Sequence, residues 1–562
     1  MSWLALGPLA LILHLAVFST YIALQRRKPT ATLAWILLVA VLPIIGLFVW
    51  ALFGGYRIRR QRTLRRGVVS QVKPLWLRPG RHGEGVPGHD LSLSSQHMIA
   101  LGQADGLGAP AYPGNHVELF LQPALLYDAI DAAIRAAEHH VHLQYYIFKN
   151  DEAGHRLRAA LIERARAGVK VRCLFDGLGS FGLGDEFLKP MLAAGVEVAW
   201  FLPLRLPGLS KAHPWFSHLR NHRKIVVIDG VKAFTGGVNI GDEYAGYGDH
   251  PGWRDTHLVL AGPAVRALQE LFLEDWMFAT DVDIESSLVI EDLFHEPEQP
   301  PGSDVVQIIG SGPDTQWDLI HKLYFQAIVE ARERVFLTTP YFIPDQAIFT
   351  ALTTAALRGV DVQLLLPARS DVRLAEWAAR SYYAELLEAG VQIHEFTGTM
   401  LHAKTLVVDG EICSVGSANM DIRSFELNFE ANAFVYCQHL AEQLEQAFVE
   451  DVAQSKRVEH AAFNDRHIVK RIAEGWARLL SPILGGRAKA RVRTGAAKLG
   501  RPPRQSLQPT HLVHLLEQPR ERLFLDAGLH QLFEVHRGAQ AVGRLAVTRA
   551  LGDGQRRAGL CG

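Results

Sequence analysis

The sequence predicts an α/β protein. Two similar α/β halves pack about a pseudo-twofold axis, and a helical hairpin able to cross a membrane precedes them. Three observations carry this reading: segments that recur about 190 residues apart, a helix–glycine–strand pattern in each copy, and two long uncharged stretches at the start of the chain. The chain has 562 residues, 48% hydrophobic and 21% charged, enough for several cores. That composition excludes a disordered chain, a collagen-like repeat and a disulfide-rich miniprotein. Cys173, Cys413, Cys437 and Cys561 form no CxxC pair, so neither a zinc site nor a disulfide framework is expected.

The hairpin comes first. Ser2–Leu24 and Ala31–Tyr56 each exceed the ~20 residues that span a hydrocarbon core. Arg26, Arg27 and Lys28 lie in the short connection, and Trp3, Trp35 and Trp50 sit near span ends as interfacial anchors do. No basic n-region precedes Trp3, which argues against a cleaved signal peptide. Arg57, Arg59, Arg60, Arg62, Arg65 and Arg66 flank the second span and outnumber the basic residues of the connection. The positive-inside rule then puts the large body in the cytosol, below a membrane crossed twice.

Charge is unevenly spread. Residues 1–66 hold nine basic residues and no acid, and residues 485–562 hold fourteen basic and five acidic. The chain is neutral overall, so the body between them is acidic. An acidic body is poorly suited to a polyanion, and no nucleic-acid partner is expected.

The repeat follows. Gln144–Phe148, Ala167–Arg172 and Ala194–Val198 match Thr339–Ile343, Arg358–Gln363 and Ala389–Ile393. In each half a helical pattern, Leu157–Ala167 or Ile348–Leu357, ends at a glycine and gives way to an apolar strand. The expected organisation is a hairpin with a basic flank over 1–66, a linker over 67–115, a first half over 116–295, a second half over 296–484, and a basic tail over 485–562, left open between a disordered segment, a contact for anionic lipid and incidental sequence.

The chemistry lies late in each half. His222, Lys224 and Asp229 form one HxKxxxxD motif, and His402, Lys404 and Asp409 form the other. Each is followed by a small-residue loop, Gly236-Gly237-Val238-Asn239 or Gly416-Ser417-Ala418-Asn419. Residues i and i+2 of a strand share a face, so each His stands beside its Lys. Each Asp falls at a turn on the opposite face and is read as a capping residue of the motif. The loops are small enough for backbone N–H groups at Gly237 and Ser417, and the amides of Asn239 and Asn419, to approach an anion. Two imidazoles, two ammonium groups and two amides make a pocket for a phosphodiester. One imidazole attacks phosphorus and the other protonates the leaving oxygen. Charge compensation is built in, so no metal or cofactor is expected. A nucleophilic imidazole needs a partner on its second nitrogen. Asp255 and Glu430 are the candidates, with the pairing left open.

The paired motif resembles the phospholipase D superfamily, and within it the bacterial cardiolipin synthases. Further features similar to that group are Lys28-Pro29, Ala34-Trp35, Gly310-Ser311-Gly312-Pro313-Asp314, Pro340-Tyr341-Phe342-Ile343-Pro344 and the stretch Gly416–Ser424. The resemblance runs from about residue 1 to Leu484 and implies two phospholipase D-like α/β sandwich halves. It implies phosphatidyl transfer from one phosphatidylglycerol to another through a phosphatidyl-histidine intermediate, with His222 attacking and His402 serving as acid, then base. The motifs alone also fit a membrane-anchored phosphodiesterase that hydrolyses phospholipid. A non-catalytic scaffold is a third reading, disfavoured because both His-Lys-Asn sets are intact. Two departures stand out. An apolar, basic insertion including Leu202–Lys211, Trp215 and Phe216 precedes the first motif; it fits equally a loop that dips toward the bilayer or covers acyl chains and a loop packed in the core. The tail 485–562 lies outside the resemblance.

Overall fold

The computed structural model describes residues 15–24, 29–53, 91–104, 109–203, 219–280, 293–294, 299–315 and 318–484. These belong to one compact unit, Met1–Arg493. Most of the insertion before His222, and the whole tail 485–562, lie outside the described residues.

The two halves repeat the same strand order outward from a shared seam. In the first half the order runs Ala111–Phe120, His257–Ala261, Lys232–Gly236, Ile225–Ile228, His140–Tyr145, Lys170–Asp176, Glu197–Phe201. In the second it runs Asp304–Ser311, Asn428–Tyr436, Ile412–Gly416, Thr405–Val408, Arg334–Thr338, Asp361–Pro367, Gln392–Phe396, and Ser455–Arg457 extends the edge. The innermost strands, Ala111–Phe120 and Asp304–Ser311, pair antiparallel and join both halves into one 16-stranded sheet. Parallel crossovers through helices Glu152–Arg166 and Gln346–Leu357 build the outer strands. Each of these helices is N-capped by an aspartate, Asp151 or Asp345, which accepts from a first-turn backbone N–H. Gly168 and Gly359 follow the helix ends at φ 94° and 91°, a left-handed conformation that costs a side-chain-bearing residue steric strain.

Core packing follows the repeat. Leu126, Ile130, Leu157, Phe175 and Val226 lie in the core of the first half, and Leu323, Ile348, Leu352, Leu364 and Ile393 in that of the second. A third cluster is shared by both halves and includes Ile225, Val227, Leu258, Val407, Val415 and Ala433. The stretch expected as a linker holds more structure than a linker does. Helix Leu93–Gln103 buries Met98 and Ile99 in the second-half core, and the seam strand starts at Ala111. Weak periodicity in this helix hid it from the sequence.

At the N-terminus, residues 15–23 are helical, and the second apolar stretch forms helices Pro29–Val41 and Pro43–Phe53. Phe18 and Tyr21 pack edge-on against Trp50, with centroids 4.9 and 5.5 Å away. Pro43 lacks an N–H donor and divides the second stretch. Among the described residues no helix is long and apolar enough to cross a membrane.

Candidate active site

Strand 428–436 is buried along its whole length and carries Asn428 and Glu430 on one face. It pairs in parallel with Arg220–Asn221 of the first half. The next backbone N–H, that of His222, donates to the Phe429 carbonyl at 2.9 Å. The second half repeats the arrangement. Arg254 bridges Leu401, and the His402 N–H donates to the Arg254 carbonyl at 2.7 Å. Each histidine is therefore pinned beside the residue that precedes an acid of the opposite half.

The side chains complete a crosswise exchange. His222 Nδ1 lies 2.9 Å from Glu430 Oε2, and His402 Nδ1 lies 2.6 Å from Asp255 Oδ2. Both acids are fully buried. A carboxylate facing Nδ1 holds that nitrogen as the proton donor and leaves the Nε2 lone pair available. Burial pushes the Glu430 carboxyl up, but the adjacent His222 and Lys224 outweigh it and hold it below the usual range. For Asp255, Lys404 and His402 outweigh burial in the same way. Asn428 Nδ2 donates to Glu430 Oε1 at 2.9 Å, and the Ser417 hydroxyl donates to Oε2.

Both lysines are buried beside their histidines. Lys224 Nζ donates to the His222 carbonyl at 2.6 Å, and Lys404 Nζ to that of His402. Burial lowers Lys224 to about 7, with Glu430 opposing and Lys404 adding to the drop. Lys404 falls to about 8 for the same leading reason. Burial also lowers His222 to about 4, and it lowers His402, where Lys404 adds repulsion. Lys224 feels Asp255 and Lys404 of the other set, so the two constellations share one electrostatic site. A small cavity spans both halves, lined by Tyr146, Arg220 and His222 from the first and Asn419, Asp421, Arg423 and Asn428 from the second.

The loop residues take other places than expected. The Gly237 N–H donates to the Thr256 carbonyl, and the Ser417 N–H to that of Ala431, so neither is presented to an anion. The reason is the orienting acids. A Cβ at Gly237 would meet Asp255 Oδ1 at 2.1 Å, and the Ser417 hydroxyl binds Glu430. Asn239 is held at both ends, accepting from the Ile147 N–H at 3.2 Å and donating to the Tyr244 hydroxyl at 2.8 Å. Asn419 differs, for among the described residues its buried Oδ1 has no hydrogen-bond partner, and the residue lines the cavity. Asp229 and Asp409 stand apart from the cavity at φ 53°. Asp229 accepts the N–H groups of Glu138, His139 and His140, and Asp409 those of Arg332, Glu333 and Arg334. This geometry makes both aspartates turn anchors of the motif.

Four residues were missed at the sequence level. Arg223 is buried between the two motif residues and binds Asp275 at 2.8 Å and the Glu430 carbonyl at 3.1 Å, buttressing the acid's strand. Its counterpart Ala403 carries no such group, a sequence asymmetry that could have signalled it. Asn428, two residues before Glu430, shares that residue's face. Asp421 and Arg423 lie within the stretch quoted for the resemblance. Among the described residues, Asp304, Cys437 and His439 are spaced to hold a cation, and none belongs to the histidine–lysine sets.

Two mirrored α/β halves, each giving a histidine and a lysine and each supplying the other's carboxylate, define a phospholipase D-like protein. The family model described as "Cardiolipin synthase, PLD-like domain" matches residues 130–276 and 324–452, and one described as "Phospholipase_D-nuclease N-terminal" matches 14–55. The chain is 41% identical over 473 residues to a cardiolipin synthase of Geobacillus kaustophilus (strain HTA426), covering 82% of this chain and 91% of that one. It is 39% identical over 465 residues to cardiolipin synthase 2 of Bacillus anthracis, covering 82% and 88%. A phosphatidylserine synthase structure from Haemophilus influenzae Rd KW20 aligns with a TM-score of 0.49 at 14% identity, over 66% of this chain and 95% of that one. The chain belongs to the cardiolipin synthase family.

Proposed function

We propose that this chain joins two phosphatidylglycerol molecules into cardiolipin, releasing one glycerol. His222 Nε2 attacks the phosphorus of the first lipid, and the P–O bond to its headgroup glycerol breaks. His402, which enters the cycle as the imidazolium with Asp255 at Nδ1, gives that oxygen its Nε2 proton, and glycerol leaves. A headgroup hydroxyl of the second lipid then returns a proton to His402 and attacks phosphorus, breaking the P–N bond and freeing His222. Lys224, Lys404 and Asn419 stabilise the charge on the non-bridging oxygens. The carrying observation is the crosswise His–acid exchange, which completes each imidazole only when both halves are docked. The cavity beside His222 adds support. Arg220 and Arg423 bring positive charge for phosphate, while Asp421 Oδ2 and Asn428 Oδ1 are buried acceptors without partners, suited to hydroxyl groups.

The N-terminal segment serves as a two-span anchor, with the body on the cytosolic side of a bacterial membrane. Exposed Leu33, Leu37, Val41, Ile44 and Ile45 and the hydropathy of 2–24 and 31–56 support this. Retention in the membrane pellet after alkaline carbonate extraction is expected, and release to the supernatant would remove the anchor.

The purified protein is to be incubated with phosphatidylglycerol labelled in the headgroup and in an acyl chain. Cardiolipin and glycerol in equal amounts are expected. Phosphatidic acid without cardiolipin makes the chain a hydrolase, and no turnover makes it a scaffold.

A further inference from the structure

Helix Ile468–Leu484 closes the described part of the chain, and its two sides differ sharply. One side is docked on helix Arg373–Glu388. There Ala477 is buried, the Arg478 guanidinium lies 4.4 Å from the Tyr382 ring centroid, and Glu474 is buried in ion pairs with Arg466 and Arg380. The other side carries Ile468, Val469, Ile472, Trp476 and Leu479. Their spacing puts them on one face, and each is exposed by 53 to 70%. Five large apolar side chains on one arc of a helix, tryptophan among them, form a contiguous patch rather than scattered exposure.

The charges of this helix identify what covers the patch. Its one acid, Glu474, points inward and is neutralised there. Of its three bases, Lys470 and Arg471 are exposed, while Arg478 lies on the docked side between the Tyr382 ring and Glu385, 3.6 Å away. The part of this helix turned away from the body is therefore apolar, with two exposed bases and no exposed acid of its own, which complements an anionic bilayer: acyl chains for the five side chains, headgroup phosphates for Lys470 and Arg471. We infer that helix Ile468–Leu484 lies in the headgroup layer of an anionic membrane and docks the catalytic body on it, as a contact separate from the N-terminal segment. The inference rests on the reading that the substrate is a bilayer phospholipid.

The full-length chain, with Cys437 and Cys561 replaced by serine and Ile472→Cys carrying an environment-sensitive dye, is to be reconstituted in nanodiscs. The discs are zwitterionic, with or without one third phosphatidylglycerol. A blue-shifted emission is expected, quenched at least twofold by lipid bearing a shallow nitroxide and more strongly with phosphatidylglycerol present. The same dye at Glu411→Cys, on an exposed turn, shows neither effect. Blue-shifted emission that lipid nitroxide leaves untouched means protein covers the face, either the tail or a second copy. Water-like emission means nothing covers it. Either result overturns the inference. The dye readout needs no turnover, so it fails or succeeds independently of the product assay. As a functional check, Ile472→Glu with Trp476→Glu should lower turnover on vesicles at least fivefold and leave turnover on a monomeric short-chain phosphatidylglycerol unchanged. Equal losses on both substrates would count against docking.

Discussion

His222 and His402 occupy equivalent places in the two halves, yet their neighbours differ. His222 meets Glu430, whose carboxylate is further tied by Asn428 and Ser417, and it borders a polar cavity with Arg220, Asp421 and Arg423. His402 meets Asp255, shorter by one methylene, and is walled by Tyr244 and Trp253 at ring separations of 5.5 and 5.2 Å. The backbone frame is duplicated closely, down to the φ of 53° at Asp229 and Asp409, while the side chains around each imidazole have diverged. Duplication placed two histidine–lysine sets in one electrostatic site, and divergence gave the two imidazoles unlike neighbours, which is what the proposed division of roles requires.

The sharpest way to break this comparison is to remove each imidazole in turn. His222→Ala and His402→Ala should each lower cardiolipin formation by about 10³-fold or more, since each loss removes either the nucleophile or the proton carrier. The two variants should differ in what accumulates. His402→Ala retains the attacking group and should trap a phosphatidyl adduct on His222, detectable by mass spectrometry of the peptide. His222→Ala should trap none. Adducts on both histidines would make the halves interchangeable and end the division of roles.

A smaller loss tests the crosswise exchange. Glu430→Gln presents an amide N–H or a weaker acceptor to Nδ1, loosening the hold on the reactive tautomer, and should cost about 10²-fold in kcat. Because Glu430 acts through His222, the double variant with His222→Ala should be no slower than His222→Ala alone. An additive loss would detach the acid from that histidine. The lysines give a pH signature. Each must be charged to meet phosphate, and Lys224 near 7 and Lys404 near 8 lose their protons as pH rises, so kcat/KM should fall over that range. The stability sign is opposite. Both folded values lie below the ordinary 10.5, so between them and 10.5 the unfolded chain binds more protons, and the lysine contribution to stability grows with pH. Activity lost above pH 8 without a fall in Tm separates titration from unfolding.

The limits of sequence reading follow the same physics. The i, i+2 spacing of His and Lys was legible because strand alternation is local, and the aspartates were legible as turn residues because a glycine follows each. Which acid serves which histidine was not, since the partners lie 208 and 147 residues apart and meet only when the halves dock. Gly237 was recognised as small, but its reason, the approach of Asp255, needs the folded strand pair. Unpartnered oxygens on Asp421, Asn428 and Asn419 are a property of packing and have no signature in a string of residues.

The smallest effect is expected where the halves agree most. Asp229 and Asp409 each gather three backbone N–H groups at the start of a neighbouring strand. Alanine at either position removes the acceptors and places an ordinary side chain at positive φ, for an expected loss of about 2–4 kcal/mol in stability. Glycine tolerates that φ and removes only the carboxylate, so Asp229→Gly should be less destabilised than Asp229→Ala, with the same order at 409. Activity per folded molecule should stay within about twofold in all four variants, because neither carboxylate faces the cleft. Urea midpoints paired with turnover measured well below the transition would check this. A loss of turnover beyond the unfolded fraction would give these carboxylates a chemical part. A loss confined to one half would show that the frame has diverged along with the side chains it carries.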